Sequence, residues 1–240
     1  LNSADGFILS RMPNARRTQT FTESVIREMT RVANQYGAVN LSQGFPDFPM
    51  PESMKDAAVK AIHDDINQYA VTWGAKTLRD AIAGKYQRRY GMPVDPETQL
   101  TVACGATEAT ASVFLALFDP GDEVIIFEPF YENYGPDAIL CEARPVFVPL
   151  VAPDWHFDAP SLRAAITPRT RAIVLNSPHN PTGHVFSRAE LETIAAIAIE
   201  HDLLVVTDDP YEYIIFEGEH ICIATIPGMA ERTITISSLS

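Results

Sequence analysis

The sequence predicts an α/β protein built on a doubly wound, mainly parallel sheet. Three observations carry this. From residue 98 onward, short apolar runs alternate with stretches of helical apolar spacing, as in a sheet covered by helices on both faces. Between the runs 171–176 (RAIVLN) and 203–207 (LLVVT) stands Ser187-Arg-Ala-Glu190, which has the form of a capping box. Strand, helix and strand joined by short loops make a crossover unit, and such units are nearly always right-handed and parallel. Finally, the 240 residues contain no internal repeat or low-complexity tract. That length can bury one large core, alone or with part of a second domain.

Taken in order, residues 1–20 are polar and irregular and read as an arm. Residues 21–36 have helical spacing. Residues 37–51 (GAVNLSQGFPDFPMP) carry glycines and prolines that exclude a regular element. Helical spacing returns at 53–65 and 77–89. The expected strands are 98–103, 123–127, 145–150, 171–176, 203–207 and 232–237. The expected helices between them are 107–118, 131–141, 161–166 and 187–201, where Leu191, Ile194, Ala195 and Ala198 form an apolar stripe.

Composition narrows the function. Hydrophobic residues make up 46% and charged residues 20%, an ordinary globular balance. The net charge of −13 argues against nucleic acid or an anionic membrane as partner, since both need basic patches. Cys104, Cys141 and Cys222 are widely spaced, with no CxxC pair to suggest zinc. They are expected to be buried free thiols in a reducing compartment. No apolar run is long enough to span a membrane, and the first residues lack the apolar core of a secretory signal. A cytoplasmic protein is expected.

The candidate chemistry lies at strand ends. Parallel strands deliver their C-terminal ends to one sheet edge, where open α/β folds bind ligands. Asn180 and Asp208 should therefore face one crevice. After 98–103 comes Cys104-Gly105-Ala106-Thr107, a glycine turn onto a helix N-terminus, which suits a phosphate. Tyr211 follows Asp208 by three residues, and Ser238 follows the last strand. A phosphate cup, a carboxylate and a phenol on one edge can hold a phosphorylated aromatic cation. The glycine fingerprint of a dinucleotide site and the Walker A loop are both absent, which weakens a nucleotide-binding reading. Singly, each residue has a plainer explanation: Asp208 as a loop cap, Asn180-Pro-Thr-Gly as a turn, Phe130 and Tyr131 as core aromatics. His179 and His184 read as solvated loop histidines with no role.

In combination the motifs say more. LSQGFPDFP (41–49), NQY (67–69), GATEA (105–109), GDEVIIFEPFYENY (121–134), LNSPHNPTG (175–183), TDDPYEY (207–213) and RTITISSLS (232–240) occur in order over about residues 30–240. With them the chain resembles the fold type I aminotransferases of class I/II that use pyridoxal 5'-phosphate (PLP), in the branch containing kynurenine, glutamine and methionine aminotransferases. The resemblance implies an N-terminal arm and part of a small domain in residues 1–50, and a PLP-binding large domain in 51–240. It implies that Asp208 bonds the pyridine nitrogen and that Tyr211 and Asn180 bond the ring 3'-oxygen. Gly105, Ala106, Thr107 and Ser238 would hold the phosphate, and Phe130 would stack on the ring. Gly44 would lie near the substrate carboxylate, with Asn180 also on the substrate side. Tyr69 would reach the cofactor of a partner subunit in a homodimer. Cis peptide bonds are implied at Glu128–Pro129 and Asn180–Pro181. The Schiff-base lysine of the family falls immediately after Ser240, outside the chain; Lys55, Lys60, Lys76 and Lys85 lie far from the expected strand ends in sequence.

The implied activity is amino-group transfer between an L-amino acid and a 2-oxo acid. A PLP-dependent cysteine-conjugate β-lyase would use the same cofactor shell. A catalytically inert protein of this fold is the alternative of another class, if that lysine is absent.

Overall fold

A computed structural model describes residues 15–20, 24–44 and 46–239. Helix α1 (Val25–Tyr36) starts where Ser24 accepts a hydrogen bond from the Arg27 N–H, and it stops at Gly37 in the left-handed region. Helices α2 (Glu52–His63) and α3 (Lys76–Tyr90) follow, then α4 (Ala106–Leu117). From there strands and helices alternate: β1 (Glu123–Glu128), α5 (Tyr134–Leu140), β2 (Arg144–Val151), β3 (His156–Phe157), α6 (Ala159–Ala164), β4 (Thr170–Asn176), α7 (Arg188–Glu200), β5 (Leu204–Asp208) and β6 (Thr233–Ile236). No helix among the described residues is long and apolar enough to cross a membrane.

The six strands form one sheet in the order β3-β2-β1-β4-β5-β6. All neighbours are parallel except β2 and β3. Successive side chains of a strand point to opposite faces, and the core divides accordingly. Ile125, Phe127, Ile173, Leu175 and Val205 pack with Phe186 and with Leu191, Ile194 and Ile197 of α7. Val124, Ile126, Ala172, Val174 and Val206 pack with Phe114 of α4 and Tyr134 and Ala138 of α5. Burial on both faces explains why these strands read as continuous apolar runs. The expected doubly wound sheet is what forms, and the capping box at Ser187 and Glu190 is present on α7.

One expected strand is absent. Residues 98–103 form no strand. The Val102 N–H instead donates to the Trp73 carbonyl at 3.0 Å, and the Val102 side chain fills the space beside Gly74, where a Cβ would come within 2.6 Å of it. The alternating pattern there serves packing against a loop. Conversely, β3 has two residues, too few to show a period of two in sequence.

Candidate functional site

The register of β4 against β5 sets Asn176 opposite Asp208 at the C-terminal ends of two parallel strands. Asn176 joins them to the next loop. Its side-chain N–H donates to the Asp208 carbonyl at 2.6 Å, and its side-chain oxygen accepts from the Asn180 N–H at 2.6 Å. One buried amide thus fixes both the strand end and the loop carrying Asn180. The only sequence signal for it was an asparagine closing an apolar strand, four residues before Asn180.

A cavity of about 300 Å³ opens at this edge, lined by Gly105, Ala106, Thr107, Thr110, Tyr131, Tyr134, Asn176, Asn180, Asp208, Pro210, Tyr211 and Ser238. A wider depression of about 530 Å³ lies over Gly84, Pro93 and Asp95. Its carboxylate, Asp95, is exposed and already accepts from the Glu97 N–H and the Thr98 hydroxyl. The smaller cavity is where polar groups converge.

Asp208 dominates that cavity electrostatically. Its Oδ2 accepts from the Tyr134 hydroxyl at 2.7 Å, while its buried Oδ1 has no hydrogen-bond partner among the described residues. Burial pushes its carboxyl up to about 6; the Tyr134 bond pulls the other way, and the neighbouring Asp209 adds to the rise. A buried carboxylate with one bare oxygen is costly unless a cation or donor reaches it. Tyr134 itself was not singled out from sequence, although it ends the ENY of the 121–134 motif.

The first residues of α4 form another wall. Gly105 is the N-cap with φ +92°, and no atom lies within 4 Å of where its Cβ would be. Glycine is thus required there by backbone conformation, not by space. The unpaired N–H groups of a helix start, with its dipole, favour an anion. Asn133 donates to the Thr107 hydroxyl at 3.3 Å. Asn180 and Tyr211 also line the cavity, with Asn180 Nδ2 3.5 Å from the Tyr211 hydroxyl.

Most of the residues picked out by sequence therefore share one cavity: Gly105, Ala106, Thr107, Asn180, Asp208, Tyr211 and Ser238. Phe130 does not line it. Its ring stacks on Phe147 with centroids 5.0 Å apart and planes 4° from parallel, and the next aromatic, Tyr131, reaches the cavity wall instead. Gly44 and Tyr69 also lie outside the lining; Tyr69 is fully exposed. Ser240 lies outside the described residues. Lys85, distant in sequence, comes within 3.5 Å of the Ser237 hydroxyl, but its ammonium is paired with Glu212. The peptide bonds before Pro129 and Pro181 are cis, as are those before Pro153 and Pro178.

Two further expectations are corrected. Cys104 is exposed, while Cys141 and Cys222 are buried; residue 104 sits on an outward turn before α4. His179 is buried, not solvated. Its Nδ1 pairs with the Thr182 hydroxyl at 2.8 Å, and burial, with His184 nearby, lowers it to about 4.

The chain is similar to known proteins along most of its length. The model of the family "Aminotransferase class I and II" matches residues 36–240. A probable N-succinyldiaminopimelate aminotransferase of Mycobacterium tuberculosis is 49% identical over 226 residues, covering 92% of this chain and 57% of that protein. Human kynurenine–oxoglutarate transaminase 1 is 38% identical over 244 residues, covering 96% and 58%. Among solved structures, N-succinyldiaminopimelate aminotransferase from Mycobacterium tuberculosis superposes with a TM-score of 0.90 at 48% identity, covering 94% of this chain and 60% of that one. Aspartate aminotransferase from Thermus thermophilus with maleate gives 0.89 at 35% identity, covering 95% and 61%. The chain spans a little over half the length of the curated relatives it matches.

Proposed function

This chain belongs to the class I and II aminotransferases, a PLP-dependent fold type I family, and from that premise we propose that it forms the cofactor-binding part of an enzyme moving an amino group between an L-amino acid and a 2-oxo acid. One observation carries the reading. Asp208 is a buried carboxylate with a bare oxygen, on the wall of a cavity that a helix N-terminus also lines. An anion-binding end and a cation-binding carboxylate suit PLP, which is a phosphate ester and a protonated pyridine in one molecule.

When bound, PLP supplies an electron sink for the carbanion formed at the substrate Cα. Asp208 would accept the pyridine N–H and hold that proton on the ring, keeping it cationic. Tyr134 would hold the carboxylate in place, and Asn176 would hold the backbone behind it. The N–H groups at Ala106 and Thr107, with the Ser238 hydroxyl, would bind the phosphate, and Gly105, whose own N–H donates to the Ala103 carbonyl at 2.8 Å, would shape the turn that presents them. Asn180 and Tyr211 stand close enough together to share the ring 3'-oxygen as acceptor. Tyr131, rather than Phe130, lines the cavity.

Gly44 is assigned to the substrate carboxylate side and Tyr69 to a partner subunit's cofactor, in a homodimer. Supporting this, Leu41, Ile62, Ile66 and Tyr69 are exposed, as apolar residues at an interface between copies would be in one chain alone. The division into 1–50 and 51–240 belongs to the same reading: among the described residues up to 50, only Ala33 is buried. Free cysteines favour a cytoplasmic setting.

The test is direct. The whole enzyme of which this chain would be the cofactor-binding part is titrated with PLP and followed by absorbance, then offered N-succinyldiaminopimelate, kynurenine, methionine and aspartate with 2-oxoglutarate as acceptor. Saturable PLP binding and glutamate formation from one donor are expected. Release of ammonia and pyruvate from a cysteine conjugate, without amino transfer, would make it a lyase; failure to bind PLP would overturn the assignment.

A further inference from the structure

Three side chains unused by the proposed chemistry converge where β3, the loop 177–186 and the start of α7 meet. His156 Nδ1 lies 2.8 Å and His184 Nε2 3.1 Å from one and the same atom, Glu190 Oε1. All three atoms lie within 4.8 Å of one another. The two histidines come from segments 34 and 6 residues away from the glutamate, so only the fold brings them together.

The helix cap does not account for this arrangement. The capping box uses Glu190 Oε2, which accepts from the Ser187 N–H at 2.8 Å and the Ser187 hydroxyl at 2.7 Å. That pair fixes the carboxylate plane and leaves Oε1 pointing to the imidazoles. Ligands held by such outer contacts are typical of built metal sites. The rings are held as well: His184 packs edge-on against Phe186 with centroids 4.8 Å apart, and against His156 at 5.2 Å. His184 and Glu190 keep only 10% and 14% of their side chains exposed, whereas His156 keeps 59%. The cluster is therefore walled by protein on one side and open to water on the other.

We infer that His156, His184 and Glu190 bind one divalent transition-metal ion, Zn²⁺ by its chemistry, clasping the edge strand β3 and the loop 177–186 to the N-terminus of α7. Two imidazole nitrogens and one carboxylate oxygen make a donor set that suits zinc, whereas calcium and magnesium prefer all-oxygen sites. With zinc bonds of about 2.0–2.2 Å, donors in a tetrahedral site stand roughly 3.3–3.5 Å apart; the two histidine–glutamate separations are slightly shorter than that, and all three ligand atoms already lie within 4.8 Å of one another. A water on the exposed side would complete the fourth position. On binding, any imidazole proton now directed at Glu190 Oε1 leaves to solvent or to the other ring nitrogen, since the ligating nitrogen must offer its lone pair. Glu190 is already an anion: burial opposes its ionisation, but hydrogen bonds from His184, His156 and Ser187 outweigh it and hold the carboxyl well below its usual range.

The experiment uses chelator-treated protein titrated with ZnCl₂ by calorimetry and with CoCl₂ by visible absorption. One equivalent of zinc is expected to bind and raise the melting temperature, and cobalt should give the ligand-field bands of a four- or five-coordinate site. His156→Ala removes an exposed ligand with little risk to folding. It should weaken zinc binding more than about tenfold, since even outer-contact changes cost about 10–100-fold. His184→Ala should do the same, and Cys104→Ala, which removes the exposed thiol, should not. Absence of saturable zinc binding, or binding unchanged in both histidine variants, would overturn the inference.

Discussion

Asp208 and Glu212 lie four residues apart in one segment, and both are buried, yet their surroundings are opposite. Asp208 has one side-chain partner, Tyr134, and a bare Oδ1. Glu212 is saturated. Lys85 and Tyr90 donate to its carboxylate, Ser237 donates at 3.2 Å, and Arg89 Nε stands 3.4 Å away. Burial raises Asp208, whereas at Glu212 the hydrogen bonds of Lys85 and Tyr90 overcome burial and lower it. Asp209, next to Asp208, has partners as Glu212 does, the Thr207 hydroxyl donating to it at 2.5 Å and His220 Nε2 lying 3.4 Å from it, although burial still raises its carboxyl. A carboxylate whose partners are all in the chain holds α3 to the loop after β5. A carboxylate left with a bare oxygen points to something the chain must bind.

The contrast can be broken from either side. Glu212→Ala should destabilise the protein most, by about 3 kcal/mol, because it leaves the half-buried ammonium of Lys85 and the hydroxyl of Tyr90 without their shared partner. Urea denaturation measures this, and PLP affinity of the folded fraction should stay nearly unchanged.

At Asp208 the sign reverses in the absence of ligand. Its folded value of about 6 lies above the ordinary 3.8, so the native state favours the protonated acid. That contribution is fully present below about pH 4 and is lost as pH rises through about 6. Relative to Asp208→Asn, the ligand-free protein should lose about 3 kcal/mol across that window and then level off. A difference that stayed flat from pH 4 to 7 would show that Asp208 is solvated.

With PLP present, the same substitution should weaken binding about 10–100-fold, the worth of a hydrogen bond to a charged group at about 1.4 kcal/mol per tenfold. Equal PLP affinity in both proteins would remove Asp208 from the site. Tyr134→Phe should have the smallest effect, about 1–2 kcal/mol of stability near neutral pH. It should also move the Asp208 transition to higher pH, because the bond that favours the anion is gone. Proton NMR or a pH series of denaturation curves would resolve that shift.

Much of this was legible in the sequence. The parallel sheet followed from apolar runs separated by helical spacing, and the shared crevice of Asn180 and Asp208 followed from strand ends in a crossover unit. What could not be read depends on contacts between distant segments. The strand expected at 98–103 gave way to packing on Trp73 and Gly74. Phe130 and Tyr131 are adjacent aromatics of similar size, yet Phe130 stacks on Phe147 while Tyr131 lines the cavity. Tyr134 gains its meaning from Asp208, 74 residues away.

By itself the sequence determined most of the order of strands and helices, the parallel sheet and the residues available at its edge, because periodicity and capping act within a few residues. Tertiary structure decided which oxygen of Asp208 stays bare, which aromatic faces the cavity, and that His156, His184 and Glu190 meet. Hydrogen-bond partnership and desolvation are properties of neighbours in space, and a linear pattern does not record them.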